Sequence, residues 1–365
     1  MLIRGQKYET IWMEDPRTVC IIDQRFLPHE LVIGRLKSAD DVVCAIKEMH
    51  LRGAPLIGAA AAFGIYLAAI EAPQDDLDAF MAEIGAKAAL LRGARPTAVN
   101  LSRAVSRSLD SMKSAGRAEE KIAAVLQTAE NIVAEEREHC QRIGEHGVGL
   151  IKDIHAKTGR TVNILTHCNA GWLACIDYGT ATAPIYEAAR LGIPVHVWVD
   201  ETRPRNQGSL LTAFELLENG IDHTVIADNT GGQLMQRGMV DMVIVGADRV
   251  TGRRDTANKI GTYLKALAAR DNRVPFYVAL TASAFDFSIE DGQEIPIEER
   301  SPDEVKFITG IGSAGRPERV MIAPEGSPAL NVGFDITPAR LITGLITERG
   351  ICRADIEDIR RLFPD

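Results

Sequence analysis

The chain has 365 residues, 46% hydrophobic and 25% charged, the make-up of an ordinary folded protein long enough for two domains. Its formal net charge of -9 argues against a nucleic-acid binder, so an anionic ligand would need a local cationic pocket. The opening MLIRGQKYETIW shows no apolar signal region and no membrane-length apolar run stands out. The six cysteines and eight histidines fall in no CxxC or HExxH pattern. These features predict a cytoplasmic protein with reduced thiols, no metal and no membrane contact.

Residues 7–36 predict short strands and turns, with Tyr8 to Met13 and Val19 to Ile22 separated by Asp15-Pro16. Ser38-Ala39-Asp40-Asp41 resembles a helix capping box, and Val42, Val43, Ile46 and Met49 follow at helical spacing. Ala-rich helices are expected at 55–71, 75–91, 97–114 and 117–156, broken by Pro73, Arg95-Pro96 and Gly116. Beyond Arg160 the rhythm becomes strand, loop, helix, which implies a parallel sheet with helices on both faces. The expected fold is therefore α/β. A mainly helical domain with a small β element occupies 1–158, and a parallel-sheet domain occupies 159–365. The Gly- and Pro-rich stretch 287–335 is expected to pack over the sheet edge before a last helix at 337–347.

Five apolar, β-prone runs end in polar residues. Val162 to Leu165 runs into THCNAG (166–171), and His196 to Val199 into Asp200 and the following ETRPRNQG. Thr224 to Ile226 runs into Ala227-Asp228-Asn229-Thr230, Met242 to Val245 into Gly246-Ala247-Asp248-Arg249, and Phe276 to Ala279 into Leu280-Thr281-Ala282-Ser283. Polar groups collected at the carboxyl ends of parallel strands are where open α/β sheets build their sites. Cys168 is the first candidate. An isolated cysteine is more often a small buried hydrophobe, but this one lies in a strand-to-helix turn, where N–H groups at a helix start would lower its pKa. His167 could serve it as a base only against geometry, because neighbours in extended chain point to opposite faces. Cys175 reads as core. Asp248, at the end of another strand, is its natural partner, and a carboxyl raised by an apolar cavity can act as a general acid.

Phosphate-binding features are spread along the chain. Arg52, Gly53 and Ala54 precede a helix opened by Pro55, so free N–H groups and a guanidinium converge there, and Arg95-Pro96-Thr97 repeats the arrangement. Asn258 and Lys259 follow the Asp248 strand and supply a third cation. The sequence Gly310 to Gly315 matches G-x-G-x-x-G, but no first strand or ribose-binding acid accompanies it, which excludes a dinucleotide site and leaves no cofactor expected. Glu298 and Glu299 read as solvated loop charges.

The ordered motifs RGAPLIG (52–58), RPTAVNL (95–101), THCNAG, ETRPRNQG, ADNT, GADRV, NKIGT, IPIEERSPDEV (295–305) and FDITPARLITGLITERG (334–350) resemble the methylthioribose-1-phosphate isomerase family. Its superfamily also holds ribose-1,5-bisphosphate isomerase and the regulatory subunits of translation initiation factor 2B. The resemblance covers nearly the whole chain and implies a Rossmann-like carboxy-terminal domain and a homodimer. It also implies an aldose–ketose isomerisation of a sugar phosphate in methionine salvage. By motif match, Asp248 would protonate the ring oxygen and Cys168 would assist hydrogen transfer from C2 to C1. Arg52, Gly53, Ala54, Arg95, Gln207, Asn258 and Lys259 carry over as substrate-binding residues. The chain departs from the family pattern at Trp172 to Asp177 and at 326–333, which makes Trp172 the expected place for an altered 5-substituent pocket.

Overall fold

The computed structural model describes residues 1–95 and 99–363. The first part is built from helices α1 (Ala39–Lys47), α2 (Ala54–Glu71), α3 (Leu77–Arg92), α4 (Val99–Ser111) and α5 (Ala118–Thr158). The Ser38 capping box forms as its spacing requires: Ser38 Oγ accepts from the Asp41 N–H, and Asp41 Oδ2 accepts from the Ser38 N–H, each at 3.0 Å. Pro96 to Ala98, where the α4 helix was expected to begin, lie outside the described residues. A three-stranded antiparallel sheet, Ile11–Asp15, Thr18–Ile22 and Ile33–Leu36, supplies the small β element.

Helix α2 corrects one expectation. By length and composition it is apolar enough to cross a membrane, and 89% of it is buried inside the protein. Its Ala and Gly residues let four neighbouring helices approach closely, forming a core with Val42, Phe80, Leu101 and Val125. It is a core helix.

Helix α5 ends at Thr158 with Gly159 in the left-handed region (φ 67°), the usual way to stop a helix. The parallel sheet follows. In space its strands run Gly350–Cys352, Gly344–Thr347, Phe276–Ala279, Met242–Val245, Val162–Thr166, Val195–Asp200 and His223–Ile226. All pairs are parallel except the terminal hairpin formed by the first two. Alternation along each strand feeds two separate cores: Ile164, Ile244 and Ile346 face one, while Leu165, Val243, Val245 and Leu345 face the other. Ile143, Val148 and Ile151 of α5 cover the first face, and Ala266 and Ala269 of helix Thr262–Asp271 cover the second. Read in chain order, the six parallel strands form the doubly wound arrangement 3-2-1-4-5-6. The winding direction reverses between Val162–Thr166 and Met242–Val245.

The helix expected at 337–347 does not form. Phe334–Thr337 and Gly344–Thr347 are strands, separated by a single 3₁₀ turn at Ala339–Leu341. An apolar run of this length fits either structure; Gly344 and the β-branched Ile346 and Thr347 favour the strand, and pairing with Tyr277 to Ala279 decides it. The last described helix is Ile356–Leu362, capped by Asp355. The 287–335 excursion contains a hairpin, Phe307–Ile311 with Pro317–Met321, and the G-x-G-x-x-G sequence spans the end of its first strand and its turn.

Candidate active site

Cys168 and Asp248 leave the two strands that flank the reversal point, which sets both at one crevice. The cavity there has about 690 Å³ of empty space, part of it open to solvent. Its walls include every residue expected to be catalytic or to bind the phosphate and sugar: Cys168 and Asp248, then Arg52, Gly53 and Ala54, then Arg95, Gln207, Asn258 and Lys259. Sequence reasoning had not picked out Met49, Asn100, Asn169, Thr281 or Phe334 as wall residues. Thr281 and Asn100 did carry a signal, since one closely follows a strand and the other lies within RPTAVNL.

The Cys168 turn is held in an uncommon shape. Cys168 has φ 67°, as have the nearby non-glycine residues Thr202 (φ 65°) and Asn206 (φ 57°), each costing about 1 kcal/mol or more. Two hydrogen bonds impose it: the Cys168 N–H donates to Thr202 Oγ1 at 2.8 Å, and Thr212 Oγ1 donates to the Cys168 carbonyl at 2.7 Å. Here the sequence reading needs correction. No helix begins at Cys168; the chain passes into a 3₁₀ turn at Trp172–Ala174. Burial pushes the thiol up, and the cations Lys259 and Arg52 only partly oppose this. Cys168 is therefore a neutral thiol at neutral pH.

Burial likewise raises Asp248, against the pull of Lys259, Arg95 and Arg52. The same desolvation lowers Lys259 and Arg52. Lys259 Nζ donates to the Gly333 carbonyl at 2.9 Å and lies 4.4 Å from the centre of the Phe334 ring. Arg95 reaches Glu298 at 3.3 Å, and Glu298 also pairs with Arg300 at 2.6 Å. Glu298 is thus a largely buried ion-pair partner of Arg95 and Arg300, not a solvated loop charge as expected. The amino end of α2 faces the cavity through Gly53 and Ala54. Gly53 (φ 102°) has no room for a side chain, because a Cβ would overlap the Ala174 backbone.

A buried network sets Arg52. Its guanidinium donates to the Asn169 carbonyl at 2.7 Å and to Asn169 Oδ1. Asn169 Nδ2 in turn donates to Glu215 Oε1 at 2.9 Å, and Glu215 also accepts from the Trp172 and Leu173 N–H groups at 3.1 and 2.8 Å. Tyr186 Oη completes the set at 3.3 Å. Burial nevertheless pushes Glu215 up to about 7. Trp172 packs wholly inside the first sheet core and does not line the cavity, so its expected role in substrate choice is not supported. Cys175 is buried as expected, yet it also forms part of the cavity wall.

His167 points away from Cys168. Its Nδ1 meets Asp200 Oδ2 and its Nε2 meets the Ile260 carbonyl, both at 2.8 Å. His167, Asp200 and Asp228 are close enough to hold an ion, but the Lys265 ammonium already lies 3.1 Å from Asp200 Oδ2 and donates to the Asp228 carbonyl. The group is a largely buried polar network that joins three loop ends beside the Cys168 turn.

The profile of the Initiation factor 2 subunit family matches residues 50–354. The chain belongs to that family. Within the family it is 56% identical over 360 residues to methylthioribose-1-phosphate isomerase of Desulfosudis oleivorans, covering 97% of this chain and 96% of the relative. It is 54% identical to the enzyme of the same name from Rhizobium meliloti, over the full length of both. Among solved structures, 5-methylthioribose 1-phosphate isomerase from Pyrococcus horikoshii superposes with a TM-score of 0.83 at 37% identity, covering 98% and 96% of the two chains. The translation initiation factor eIF-2B subunit delta from A. fulgidus superposes at 0.79, also at 37% identity, covering 98% and 100%. Fold alone therefore does not separate enzyme from factor in this family.

Proposed function

We propose that the protein is an aldose–ketose isomerase that converts 5-methylthioribose 1-phosphate to 5-methylthioribulose 1-phosphate in methionine salvage. The observation that carries the reading is the meeting of Cys168 and Asp248 across the reversal point of the sheet, in a cavity that also holds Arg52, Arg95 and Lys259. Full-length relatives of that name at over 50% identity support it.

The chemistry follows from the groups present. A phosphate on the anomeric oxygen blocks ordinary opening to a free aldehyde, so the ring oxygen needs a proton donor. A carboxyl raised by burial holds its proton more readily than an ordinary aspartate, which suits Asp248 to that task. A neutral thiol at Cys168 can assist hydrogen transfer between C2 and C1. Arg52, Arg95 and Lys259, with the free N–H groups of Gly53 and Ala54, suit the phosphate; Gln207 and Asn258 suit sugar hydroxyls.

A purely regulatory, ligand-sensing subunit is the competing reading within the family. Such a sensor has no need of a thiol and a carboxyl facing one ligand. The test measures kcat/KM of the purified protein on the 1-phosphates of 5-methylthioribose and 5-deoxyribose, and on ribose 1,5-bisphosphate. Greater efficiency on either of the other sugars would reassign the substrate, and no turnover on any would favour the sensor. A homodimer in the cytoplasm completes the proposal, with a light-scattering mass of twice the chain as the expected result.

A further inference from the structure

Behind the Thr281 side of the catalytic cavity lies a second cavity, with about 710 Å³ of empty space, part of it open to solvent. Asn100 and Pro55 line both cavities. Between the two runs a short chain of hydroxyls. Thr281 Oγ1, on the catalytic side, lies 2.6 Å from Ser283 Oγ, and Ser283 Oγ donates to Glu136 Oε1 at 3.1 Å. Asn100 Nδ2 donates to the same Ser283 oxygen at 2.6 Å. Glu136 projects from the middle of α5, is only 8% exposed and lines the second cavity, and its Oε2 has no hydrogen-bond partner among the described residues.

The hydrogen count along this chain balances in two states. With Glu136 ionised, Ser283 donates to it and accepts from Thr281 and Asn100. With Glu136 protonated, Glu136 donates to Ser283, Ser283 donates to Thr281, and the Thr281 proton is free to point into the catalytic cavity. The states differ by one proton passed between that cavity and Glu136, with each O–H bond broken matched by one formed. We propose that Thr281, Ser283 and Glu136 are a proton wire joining the catalytic cavity to solvent through the second cavity.

The wire rests on the isomerase reading. In that reaction the ring oxygen takes up one proton and the C2 hydroxyl gives one up as the carbonyl forms. Each turnover therefore consumes one proton at the ring oxygen and releases one at C2, without net change, and a wire lets the cavity exchange these protons with solvent. Burial pushes Glu136 up to about 7, so it can both hold and release a proton near neutrality. The charges around it are largely committed elsewhere. Arg107 of α4 pairs with Glu135, and Arg103 donates to the carbonyls of Ala282, Ser283 and Phe285. Glu348 accepts from the Ala282 N–H at 3.1 Å. His139, one turn further along α5, faces the second cavity.

The experiment compares wild type with Glu136→Gln, Glu136→Asp and Ser283→Ala. For Glu136→Gln and Ser283→Ala we expect kcat to fall about tenfold, less than for a group that touches substrate, with KM unchanged and the pH dependence of kcat near neutrality flattened. Glu136→Asp should restore part of both. Wild-type kcat and pH profile in Glu136→Gln and Ser283→Ala would overturn the wire. Infrared difference spectra between wild type and Glu136→Gln give a readout free of turnover: a protonated-carboxyl band at about pH 6, shifted by Ser283→Ala. Absence of that band would overturn the wire by itself. A band without isomerase turnover in wild type would overturn only the substrate assignment.

Discussion

Glu215→Gln should change how the stability of the protein depends on pH. Glu215 is buried beneath the Cys168 turn, where it accepts from Asn169, Trp172, Leu173 and Tyr186, and burial holds it at about 7 against an ordinary 4.5. Between those two values the unfolded chain has released this proton while the folded chain keeps it. Unfolding stability therefore falls as pH rises, by about 1.4 kcal/mol for each pH decade. The contribution is fully present below 4.5 and is lost as pH rises through about 7, a total of about 3 kcal/mol. Glutamine removes that dependence. It also introduces a fixed cost of about 1–3 kcal/mol, because its amide faces the Trp172 N–H with no acceptor. Urea unfolding of both proteins from about pH 5 to pH 8 separates the two effects. The fixed cost offsets the curves, whereas the difference between them should shrink or reverse with rising pH. The Glu136 contribution is common to both proteins and cancels. A difference that stays constant across this range would refute the claim that Glu215 is held protonated by burial.

Cys168→Ser and Asp248→Asn should each lower kcat by at least about a hundredfold while leaving calorimetric ligand affinity largely intact. Near-normal turnover in either variant removes that residue from the chemistry. Lys259→Met takes one cation from the wall and should weaken phosphate-ester binding roughly 10- to 100-fold, the worth of one charge-assisted hydrogen bond, as read by titration calorimetry. Unchanged affinity would place the phosphate elsewhere. Dialysis against a chelator should leave activity unaltered; loss on dialysis and recovery on adding a metal would contradict the acid and thiol mechanism.

Much of the fold was legible because its signals are local. The Ser38 capping box, the helix breaks and Gly159 at the end of α5 each work through a few neighbouring residues. The candidate site was legible for a related reason: polar residues directly after apolar β-prone runs must emerge at one edge if the strands are parallel. The run 337–347 failed this kind of reading. Its apolar residues fit a helix or a strand, and the choice was made by Tyr277 to Ala279, far away in sequence. Trp172 misled for another reason. Its place beside Cys168 suggested the cavity, but the 3₁₀ turn directs the indole into the sheet core.

The sequence by itself determined which chemical groups would be available, and that Cys168 and Asp248 would end strands. It did not determine that those strands are neighbours. That came from the strand order, which puts the reversal of winding between them and makes a crevice there unavoidable. Tertiary structure also decided the protonation chemistry. Cys168 is raised, not lowered, because desolvation depends on everything packed around the thiol, whereas the expected helix dipole was a local inference about a helix that never starts. The hydroxyl chain from Thr281 to Glu136 joins α5 to a strand end across more than a hundred residues, and only packing could bring them within hydrogen-bond reach.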